Sequence, residues 1–274
     1  MLNMPLGEAT FKDIRDYIYV NSGIYIADSK KYLIESRLSR ILQEKKLQSF
    51  EEYLRMIKFS SNGDEHVRLF DAVTTNETYF FREPQQLTVF AEEILSTVLE
   101  QKKGVKKLRI WSAACSSGEE PYTLSMILLE KRVLPAKFEI YASDLSEGVL
   151  TSAKRAVYNS YSVRNIPEPY MKKYFTNSSQ SFALHDSVKN SVNFMKVNLI
   201  DNKNMTSLRN MDVIFCRNVL IYFDTKAKQK VISNLYDSLN PGGYLFIGQS
   251  ESLHNVTRAL RPSVINKVIM YQKV

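Results

Sequence analysis

The spacing of apolar residues changes once along this chain, near residue 104, and that change is the strongest constraint on its fold. Before it, apolar residues recur three and four apart, as in Ile34, Leu38, Ile41 and Leu42, which is the period of a helix. After it, short apolar runs alternate with helical patterns. In a chain of 274 residues this predicts an all-α N-terminal domain followed by a larger α/β domain.

The N-terminal domain is expected to cover residues 1–72 as a small helical bundle. Asp28 and Ser29 have side chains suited to an N-cap and stand just before the periodic stretch KKYLIESRLSRIL, so we expect them to cap that helix. The stretch SSNGDE at 60–65 predicts a turn, and a further short helix is expected around 66–72.

The second domain, residues 104–274, has the pattern of a doubly wound parallel sheet with helices on both faces. The predicted strands are LRIWSA (108–113), FEIYAS (138–143), FMKVN (194–198), MDVIFC (211–216), YLFIGQ (244–249) and VIMYQ (268–272), and the predicted helices are at about 119–132, 146–155 and 225–239. Right-handed crossovers place the loops after these strands along one edge, where ligands bind in such sheets.

Two segments depart from this pattern. Residues 158–193 are too long for a simple connection, so we expect a short helix near 168–175 and a small antiparallel β-subdomain at about 180–197. The segment VTTNETYFFRE (73–83) is rich in aromatic residues, which a flexible linker would lack. We therefore expect residues 73–103 to form an ordered linker and helix that contribute to the ligand site.

The charge of the chain favours an acidic partner without naming it. Lys and Arg number 37 against 29 Asp and Glu, for a net charge of +8. Nucleic acid, an anionic membrane and an acidic protein surface all fit this charge. Within residues 30–46, basic side chains outnumber acidic ones, although such a run is often only the solvated face of a helix.

Several classes of protein are disfavoured by composition. No apolar run reaches the roughly 18 residues needed to span a bilayer, and the N-terminus lacks the basic and apolar regions of a signal peptide. The two cysteines, Cys115 and Cys216, lie far apart in apolar stretches. We therefore expect a cytoplasmic protein with reduced thiols and without a metal site.

The loop after the first strand, SAACSSGEEPYTL, would let a ligand approach the backbone closely. Its small residues end at Gly118, after which Glu119 and Glu120 begin a helix. Acidic residues at a helix start are also favoured by the helix dipole alone. Because two carboxylates would repel a pyrophosphate, this loop favours a ligand with ammonium or hydroxyl groups.

Polar residues follow two further strands. Asp144 ends the second strand, where a carboxylate can accept hydrogen bonds from a ribose diol, although it could equally cap the next helix. The stretch FCRNVLIYFD places Arg217 and Asn218 at the same edge of the sheet and Tyr222 opposite them. Asp144 together with the loop after the first strand favours an adenosine-containing cofactor.

Taken in order, these motifs resemble those of one family. The stretches TTNETYFFRE, RIWSAACSSGEEPYTLSM, ASDLS, VNL, VIFCRNVLIYFD and LNPGGYLFIGQSE closely resemble the bacterial chemotaxis receptor glutamate methyltransferases, the CheR family, from about residue 10 to the C-terminus. The resemblance implies a class I S-adenosylmethionine-dependent methyltransferase domain with a β-subdomain, preceded by an all-α domain. It implies a protein-glutamate O-methyltransferase that forms S-adenosyl-L-homocysteine and acts on the cytoplasmic helical domain of methyl-accepting chemotaxis receptors.

The same resemblance implies site residues. The implied cofactor contacts are Asn76, Thr78, Arg82, Glu119, Asp144, Asn198, Leu199, Arg217 and Asn218. Arg82 and Tyr222 are the candidates to orient the substrate carboxylate, while Arg217 is expected to order its loop. A glutamate is already ionised near neutral pH, so no general base is expected.

The basic helix is implied to be the receptor-binding element. On a helical wheel Lys30, Arg37 and Arg40 share one flank, and the resemblance implies that this flank meets glutamate-rich receptor helices far from the cofactor. Family members that dock on a receptor's C-terminal pentapeptide share a glycine-bearing loop in the β-subdomain. The corresponding stretch here, about SSQSFALHDSVKNSV, has no glycine, so we expect a pentapeptide-independent enzyme.

Two other functions remain as alternatives. A nucleic-acid methyltransferase fits the charge, but it would commonly carry an Asn/Asp-Pro-Pro-aromatic loop where this chain has RNVLIYF. A regulator that binds the cofactor without catalysis is disfavoured by the intact Arg82, Asp144 and Tyr222. We therefore expect neither nucleic acid as a partner nor direct insertion into a membrane.

Overall fold

The computed structural model describes residues 5–59, 63–102, 106–178, 180–203 and 205–274. The predicted change of pattern near residue 104, and with it the boundary between the two predicted domains, lies outside the described residues, as does the first half of the predicted turn at 60–65. Among the described residues, no helix is both long and apolar enough to cross a membrane.

Four helices at the N-terminus share one apolar core. They are α1 (Glu8–Ser22), α2 (Lys31–Lys45), α3 (Phe50–Phe59) and α4 (Asp64–Val73). The spacing that predicted a buried face on α2 is confirmed, because Ile34, Leu38, Ile41 and Leu42 are all buried. The short helix predicted at 66–72 is confirmed as the greater part of α4.

The predicted N-cap of α2 is wrong. Asp28 and Ser29 lie in a short 3₁₀ turn, Asp28–Lys30, and no side chain caps α2. Asp28 Oδ1 instead accepts a hydrogen bond from Arg15 Nη1 on α1 at 2.5 Å. A charge-assisted bond of this kind competes well with a capping bond, and the sequence alone does not show that α1 lies within reach.

A second helical segment follows the N-terminal bundle. It consists of α5 (Pro84–Val89), a single π-helical turn at Phe90–Ile94 and α6 (Leu95–Lys102). Residues 74–83, between α4 and α5, form neither helix nor strand. Phe90 anchors the segment to the sheet, with its ring centroid 5.3 Å from that of Phe215.

The described residues from 106 onward build two sheets and six further α-helices. The strands are β1 (Leu108–Ala113), β2 (Phe138–Asp144), β3 (Val157–Tyr158), β4 (Phe175–Ser178), β5 (Ser181–Leu184), β6 (Val192–Lys196), β7 (Met211–Cys216), β8 (Leu239–Ile247), β9 (Leu260–Ile265) and β10 (Val268–Lys273). The helices are α7 (Glu119–Glu130), α8 (Glu147–Arg155), α9 (Ser160–Val163), α10 (Glu168–Tyr174), α11 (Asp186–Lys189) and α12 (Thr225–Ser238).

The main sheet has seven strands in the order β6-β2-β1-β7-β8-β10-β9. Its first five strands are parallel, as predicted, and β10 and β9 add to them in antiparallel fashion. Buried side chains of α7 and α8 cover one face of the sheet, and those of α12 cover the other. The α/β fold class with an all-α N-terminal part is therefore confirmed.

The predicted position of the antiparallel excursion is only partly right. The small sheet has the order β3-β5-β4, so it uses residues 157–158 and 175–178, which precede the predicted range of 180–197. Within that range, β6 pairs with β2 in the main sheet. The short helix predicted near 168–175 is confirmed as α10.

The N-terminal helices contact the main sheet beside the carboxyl end of β7. After α1, the backbone N–H of Tyr25 donates to the carbonyl oxygen of Tyr222 over 2.8 Å, and Ile24 forms an isolated antiparallel bridge with Phe223. Gly23 ends α1 with φ +74°, and a Cβ there would lie 2.7 Å from Ile200 Cγ2. The close approach of these segments therefore depends on glycine at this position.

Candidate functional site

A cavity opens at the carboxyl edge of the parallel sheet, where the fold predicts a ligand. Loops after four neighbouring strands line it: 114–116 after β1, 144–145 at the end of β2, 197–199 after β6 and 217–219 after β7. Residues 73–79, which we call the strap, close another side. Within the segment 73–83, which we expect to be ordered, residues 73–79, 81 and 82 line the cavity.

Asp144 lies at the wall of this cavity and is 7 % exposed. Its Oδ2 accepts a hydrogen bond from the backbone N–H of Ser116 at 2.9 Å, and its Oδ1 accepts one from Ser146 at 3.0 Å. Burial raises the pKa of Asp144, and these backbone donors oppose the rise. The alternative role as a helix cap falls to Ser146, whose hydroxyl accepts from Val149 N. Asp144 keeps acceptor capacity toward the cavity.

The loop after β1 adopts unusual backbone conformations. Ala114 and Ser116 have φ of +62° and +49°, and Gly118 has φ +91°. A Cβ on Gly118 would lie 3.0 Å from Ala153 Cβ, so glycine is needed both for its conformation and for its close packing. Non-glycine residues in this region are uncommon and concentrate at functional sites.

The two glutamates that begin α7 lie in different places. Glu119 is 1 % exposed and does not line the cavity; its carboxylate accepts hydrogen bonds from Ser117 Oγ at 2.7 Å and Ser162 Oγ at 3.0 Å. Burial raises the pKa of Glu119. Glu120 does line the cavity. The resemblance assigned the cofactor contact to Glu119, whereas the geometry brings Glu120 to the ligand side.

Arg217 lines the cavity and is held by hydrogen bonds and ion pairs. Its guanidinium donates to Glu120 Oε2 at 3.1 Å and to the carbonyl oxygen of Arg82 at 2.6 Å, and it lies 3.2 Å from Glu83 Oε2. The side chain of Arg217 is only 3 % exposed. These bonds join the loop after β7 to the start of α5, as expected for a residue that orders its loop.

Asn218 continues the same network. It has φ +59°, its backbone N–H donates to Glu251 Oε2 at 3.0 Å, and its Nδ2 donates to Glu83 Oε1 at 3.1 Å. Asparagine tolerates this left-handed conformation better than most residues. Glu251, from the segment after β8, was not among the residues that sequence reasoning selected.

The strap residues Asn76 and Thr78 line the cavity together with Arg82. Ser116 Oγ donates to the carbonyl oxygen of Asn76 at 3.1 Å, which joins the strap to the loop after β1. Arg82 Nη1 donates to the carbonyl oxygen of Glu77 at 3.0 Å. All three residues selected from this segment are therefore brought together with Asp144.

Asn198, Leu199 and Tyr222 also line the cavity. Asn198 Nδ2 donates to the carbonyl oxygen of Asn21 at 2.6 Å, so α1 braces the loop after β6. The hydroxyl of Tyr222 forms no hydrogen bond within the described part of the chain. It is a polar group at the cavity that is free to meet a ligand.

The three basic residues of the predicted receptor-binding flank differ in their surroundings. Lys30 is exposed, and Arg40 is 84 % exposed and pairs with Glu44 at 2.9 Å. Arg37 is half-buried: its Nη2 donates to Thr75 Oγ1 at 2.9 Å and its Nη1 donates to the carbonyl oxygen of Val73. The expectation that this flank is far from the cofactor site is therefore wrong for Arg37, because Val73 and Thr75 line the cavity.

Sequence reasoning missed two further contributors to the cavity wall. Ser22 and Ile24, at the end of α1, line the cavity although they belong to the helical part of the chain. Nothing in the local pattern marks them, because their role follows from how α1 packs against the loop after β7. Within the described ranges, His, Cys, Asp and Glu form no group of three that could hold a metal ion.

The chain matches two family models, which together define its class. Residues 76–269 match the family model described as "CheR methyltransferase, SAM binding domain", and residues 9–74 match "CheR methyltransferase, all-alpha domain". The chain is therefore an S-adenosylmethionine-dependent methyltransferase with an additional helical domain.

Curated relatives give the same result over the whole chain. Chemotaxis protein methyltransferase 2 of Vibrio cholerae is 37% identical over 276 residues, covering 100% of this chain and 96% of the relative. The chemotaxis protein methyltransferase of Borreliella burgdorferi is 37% identical over 259 residues, covering 92% and 91%. The chain belongs to the CheR methyltransferase family.

Proposed function

We propose that this enzyme transfers the methyl group of S-adenosylmethionine to glutamate side chains of chemotaxis receptors, forming glutamate 5-O-methyl esters for sensory adaptation in the cytoplasm. The observation that supports this most is the meeting of two groups at one cavity. Asp144 offers a buried acceptor to a ribose diol, and Tyr222 offers a free hydroxyl at the side where α1 meets the methyltransferase fold. The names of the relatives supply the chemotaxis context.

The residues of the cavity fit S-adenosylmethionine. Asp144 would accept from the ribose hydroxyls, and Asn198 and Leu199 would flank the adenine. Asn76, Thr78 and Arg82 would close the strap over the cofactor, and Arg217 and Asn218 would hold the loop beneath it. Glu120 would take the place assigned to Glu119, since only Glu120 lines the cavity. A carboxylate there suits the ammonium group of the methionine portion.

The chemistry requires little from the protein beyond orientation. When bound, S-adenosylmethionine supplies a methyl group that is already activated by its sulfonium. A substrate carboxylate is ionised at neutral pH, so the enzyme need not remove a proton from it. Tyr222 would donate a hydrogen bond that aligns this carboxylate. Arg82, which follows the strap, would orient the same carboxylate from the other side. Such positioning can supply much of the rate acceleration of a two-substrate reaction.

The proposed partner is the glutamate-rich helical cytoplasmic domain of methyl-accepting receptors. Lys30 and Arg40 are the exposed cations of the α2 flank, and they would attract acidic helices toward the cavity. The small sheet β3-β5-β4 and its connections contain no glycine from residue 157 to 184. We propose that methylation proceeds without a receptor pentapeptide tether.

The test uses tritiated S-adenosylmethionine with receptor cytoplasmic fragments from the same organism. The proposal expects label in the receptor that mild alkali releases as methanol, because methyl esters hydrolyse in base. Fragments that lack their C-terminal tails should accept label equally well. Base-stable label, or label that appears in nucleic acid instead, would refute the proposed reaction. Binding of the cofactor without transfer to any receptor would indicate a regulator.

A further inference from the structure

The last turn of α4 connects the helical domain to the cavity through two side chains. Arg37, on the neighbouring helix α2, donates to the carbonyl oxygen of Val73 and, over 2.9 Å, to Thr75 Oγ1. Val73 ends α4, so its carbonyl has no partner within that helix. Val73 and Thr75 both belong to the strap, and Asn76 follows directly.

Asp71 makes the second connection, on the opposite side of the same turn. Its Oδ1 accepts hydrogen bonds from Ser146 Oγ at 2.6 Å and from the backbone N–H of Gly148 at 3.3 Å. Ser146 in turn donates its backbone N–H to Asp144 Oδ1 at 3.0 Å. Asp71 therefore fixes Ser146, and Ser146 in turn donates to Asp144, the proposed acceptor for the ribose.

The packing around Asp71 is close enough to make this connection specific. A Cβ on Gly148 would lie 3.0 Å from Asp71 Oδ2, so α4 and the start of α8 approach each other with little spare room. The hydroxyl of Ser146 also accepts from Val149 N at 3.2 Å, which caps α8. Through one serine, Asp71 fixes both the start of α8 and the backbone donor to Asp144.

Other hydrogen bonds hold the remainder of the strap. After Val73 it forms neither helix nor strand, and on its inner side Ser116 Oγ donates to the carbonyl oxygen of Asn76 at 3.1 Å. Arg82 Nη1 donates to the carbonyl oxygen of Glu77 at 3.0 Å. On its outer side Tyr161 donates to Glu77 Oε1 at 2.7 Å. At the start of the strap, the backbone N–H and the Oγ1 of Thr74 both donate to the carbonyl oxygen of Phe70, at 3.1 and 2.8 Å. Loss of the Arg37 contacts would therefore leave this end of the strap joined to α4 but no longer joined to α2.

We propose that Arg37 and Asp71 are positioning residues of the cofactor site, so that the helical domain completes that site instead of serving only to meet the receptor. Arg37 fixes the position of the strap beside the cofactor through its bonds to Val73 and Thr75. Asp71 fixes the position of Asp144 through its bond to Ser146. Neither side chain touches the cofactor in this arrangement. The inference rests on the proposed function in one respect, namely that the cavity binds S-adenosylmethionine.

The test measures cofactor affinity by calorimetry in the full-length protein, with S-adenosyl-L-homocysteine as the probe. Arg37→Ala should weaken binding about fivefold to tenfold, as expected when one or two hydrogen bonds that order a binding segment are lost. Arg40→Ala is the matched control, because it lies one turn away on the same flank and, within the described residues, pairs with exposed Glu44 alone. Its dissociation constant for the probe should stay within about twofold of the wild type.

Asp71 is tested by a pair of variants. Asp71→Ala removes the acceptor for Ser146 and should weaken probe binding about fivefold. Asp71→Asn keeps an acceptor oxygen and should restore most of the affinity. A role confined to domain stability would instead lower the melting temperature and leave the dissociation constant of the folded protein unchanged.

The outcomes separate this inference from the proposed function. If Arg37→Ala and Asp71→Ala are folded and bind the probe as the wild type does, the positioning role is refuted while the proposed reaction stands. If the wild type itself fails to bind the probe, the proposed function fails. Where Arg37→Ala does not fold, Arg37→Leu replaces it, because leucine keeps an apolar stem and removes both donors; an affinity equal to that of the wild type would refute the inference.

Discussion

The backbone N–H of Tyr25 donates to the carbonyl oxygen of Tyr222 over 2.8 Å, and this bond joins the helical domain to the wall of the cavity. Tyr25 follows α1, whereas Tyr222 follows β7 in the parallel sheet. The side chains next to this bond, Tyr25 and Ile221, are each 55% exposed. One wall of the cavity is thus built from both parts of the chain, with Ser22 and Ile24 on one side of the bond and Tyr222 and Phe223 on the other.

Replacing Tyr222 by Phe should lower turnover more than cofactor affinity. The hydroxyl that is removed has no partner in the described part of the protein, so the fold should not change. Its proposed bond is to the substrate carboxylate, which makes the loss specific to the reacting complex. The measurement is kcat with receptor fragments, together with the calorimetric Kd of S-adenosyl-L-homocysteine. Tyr25→Phe is the control, and a tenfold loss of cofactor affinity with normal kcat would argue against the role of Tyr222.

Replacing Asp144 by Ala should weaken cofactor binding by roughly 2 to 4 kcal/mol, since two hydrogen bonds to the ribose would be lost, one of them charge-assisted. The change also leaves the backbone donors of Ser116 and Ser146 without their acceptor. Some loss of stability should therefore accompany it. Calorimetry provides the measurement, with exposed Asp13→Ala as the control. An unchanged Kd would remove Asp144 from the site.

Cofactor affinity should depend on pH through Asp144. Burial raises the pKa of this carboxyl, and the ionised form is the better acceptor for the ribose hydroxyls. Affinity should therefore be highest above the raised pKa and should fall as the pH decreases through it. This fall should occur at a higher pH than it would for an exposed aspartate. Glu120 also has a pKa raised by burial and lines the same cavity, so Glu120→Gln identifies its share of the effect. An affinity that stays constant down to the ordinary range of aspartate would contradict this account.

Reversing the charge of Lys30 and Arg40 together should raise the KM for receptor fragments severalfold at low salt. Both side chains are exposed, so their attraction for acidic helices is screened by added salt and the defect should shrink accordingly. The Kd for S-adenosyl-L-homocysteine should not change. The control reverses two exposed cations on the β9–β10 edge, Arg261 and Lys267. An equal defect in that control, or normal methylation by the Lys30 and Arg40 variant at low salt, would show that the flank does not bind the receptor. It would then be only a solvated helix face.

The parallel part of the fold could be predicted because its signals are local. β1 and β7 are mostly apolar and almost wholly buried, as expected for strands covered on both faces, and their bounds agree with the prediction. β9 was missed because Arg261 and Pro262 interrupt its pattern, and an edge strand tolerates both. β3 is only two residues long and depends on its pairing with β5, so no local pattern could reveal it.

The candidate site could be predicted from sequence only for residues that end or directly follow the strands of the parallel sheet. Asp144 ends β2 and Arg217 follows β7, two strands that flank β1 in the parallel sheet, and the topology alone brings their loops to one edge. The contacts of Arg37 and Glu119 depend on tertiary packing instead. A helical wheel places Arg37 on an exposed flank, but it cannot show that the strap lies against that flank. The choice between Glu119 and Glu120 likewise depends on where Ser162 lies.

Mass spectrometry of a methylated receptor fragment tests the central claim most directly. After incubation with this enzyme and S-adenosylmethionine, peptides from the receptor's helical cytoplasmic domain should gain about 14 mass units, the mass of one methylene, on glutamate. Mild alkali should remove that increment, and the Tyr222→Phe enzyme should produce it more slowly. An increment on lysine, arginine or a peptide terminus, or one that survives alkali, would contradict the assignment of this chain as a glutamate O-methyltransferase.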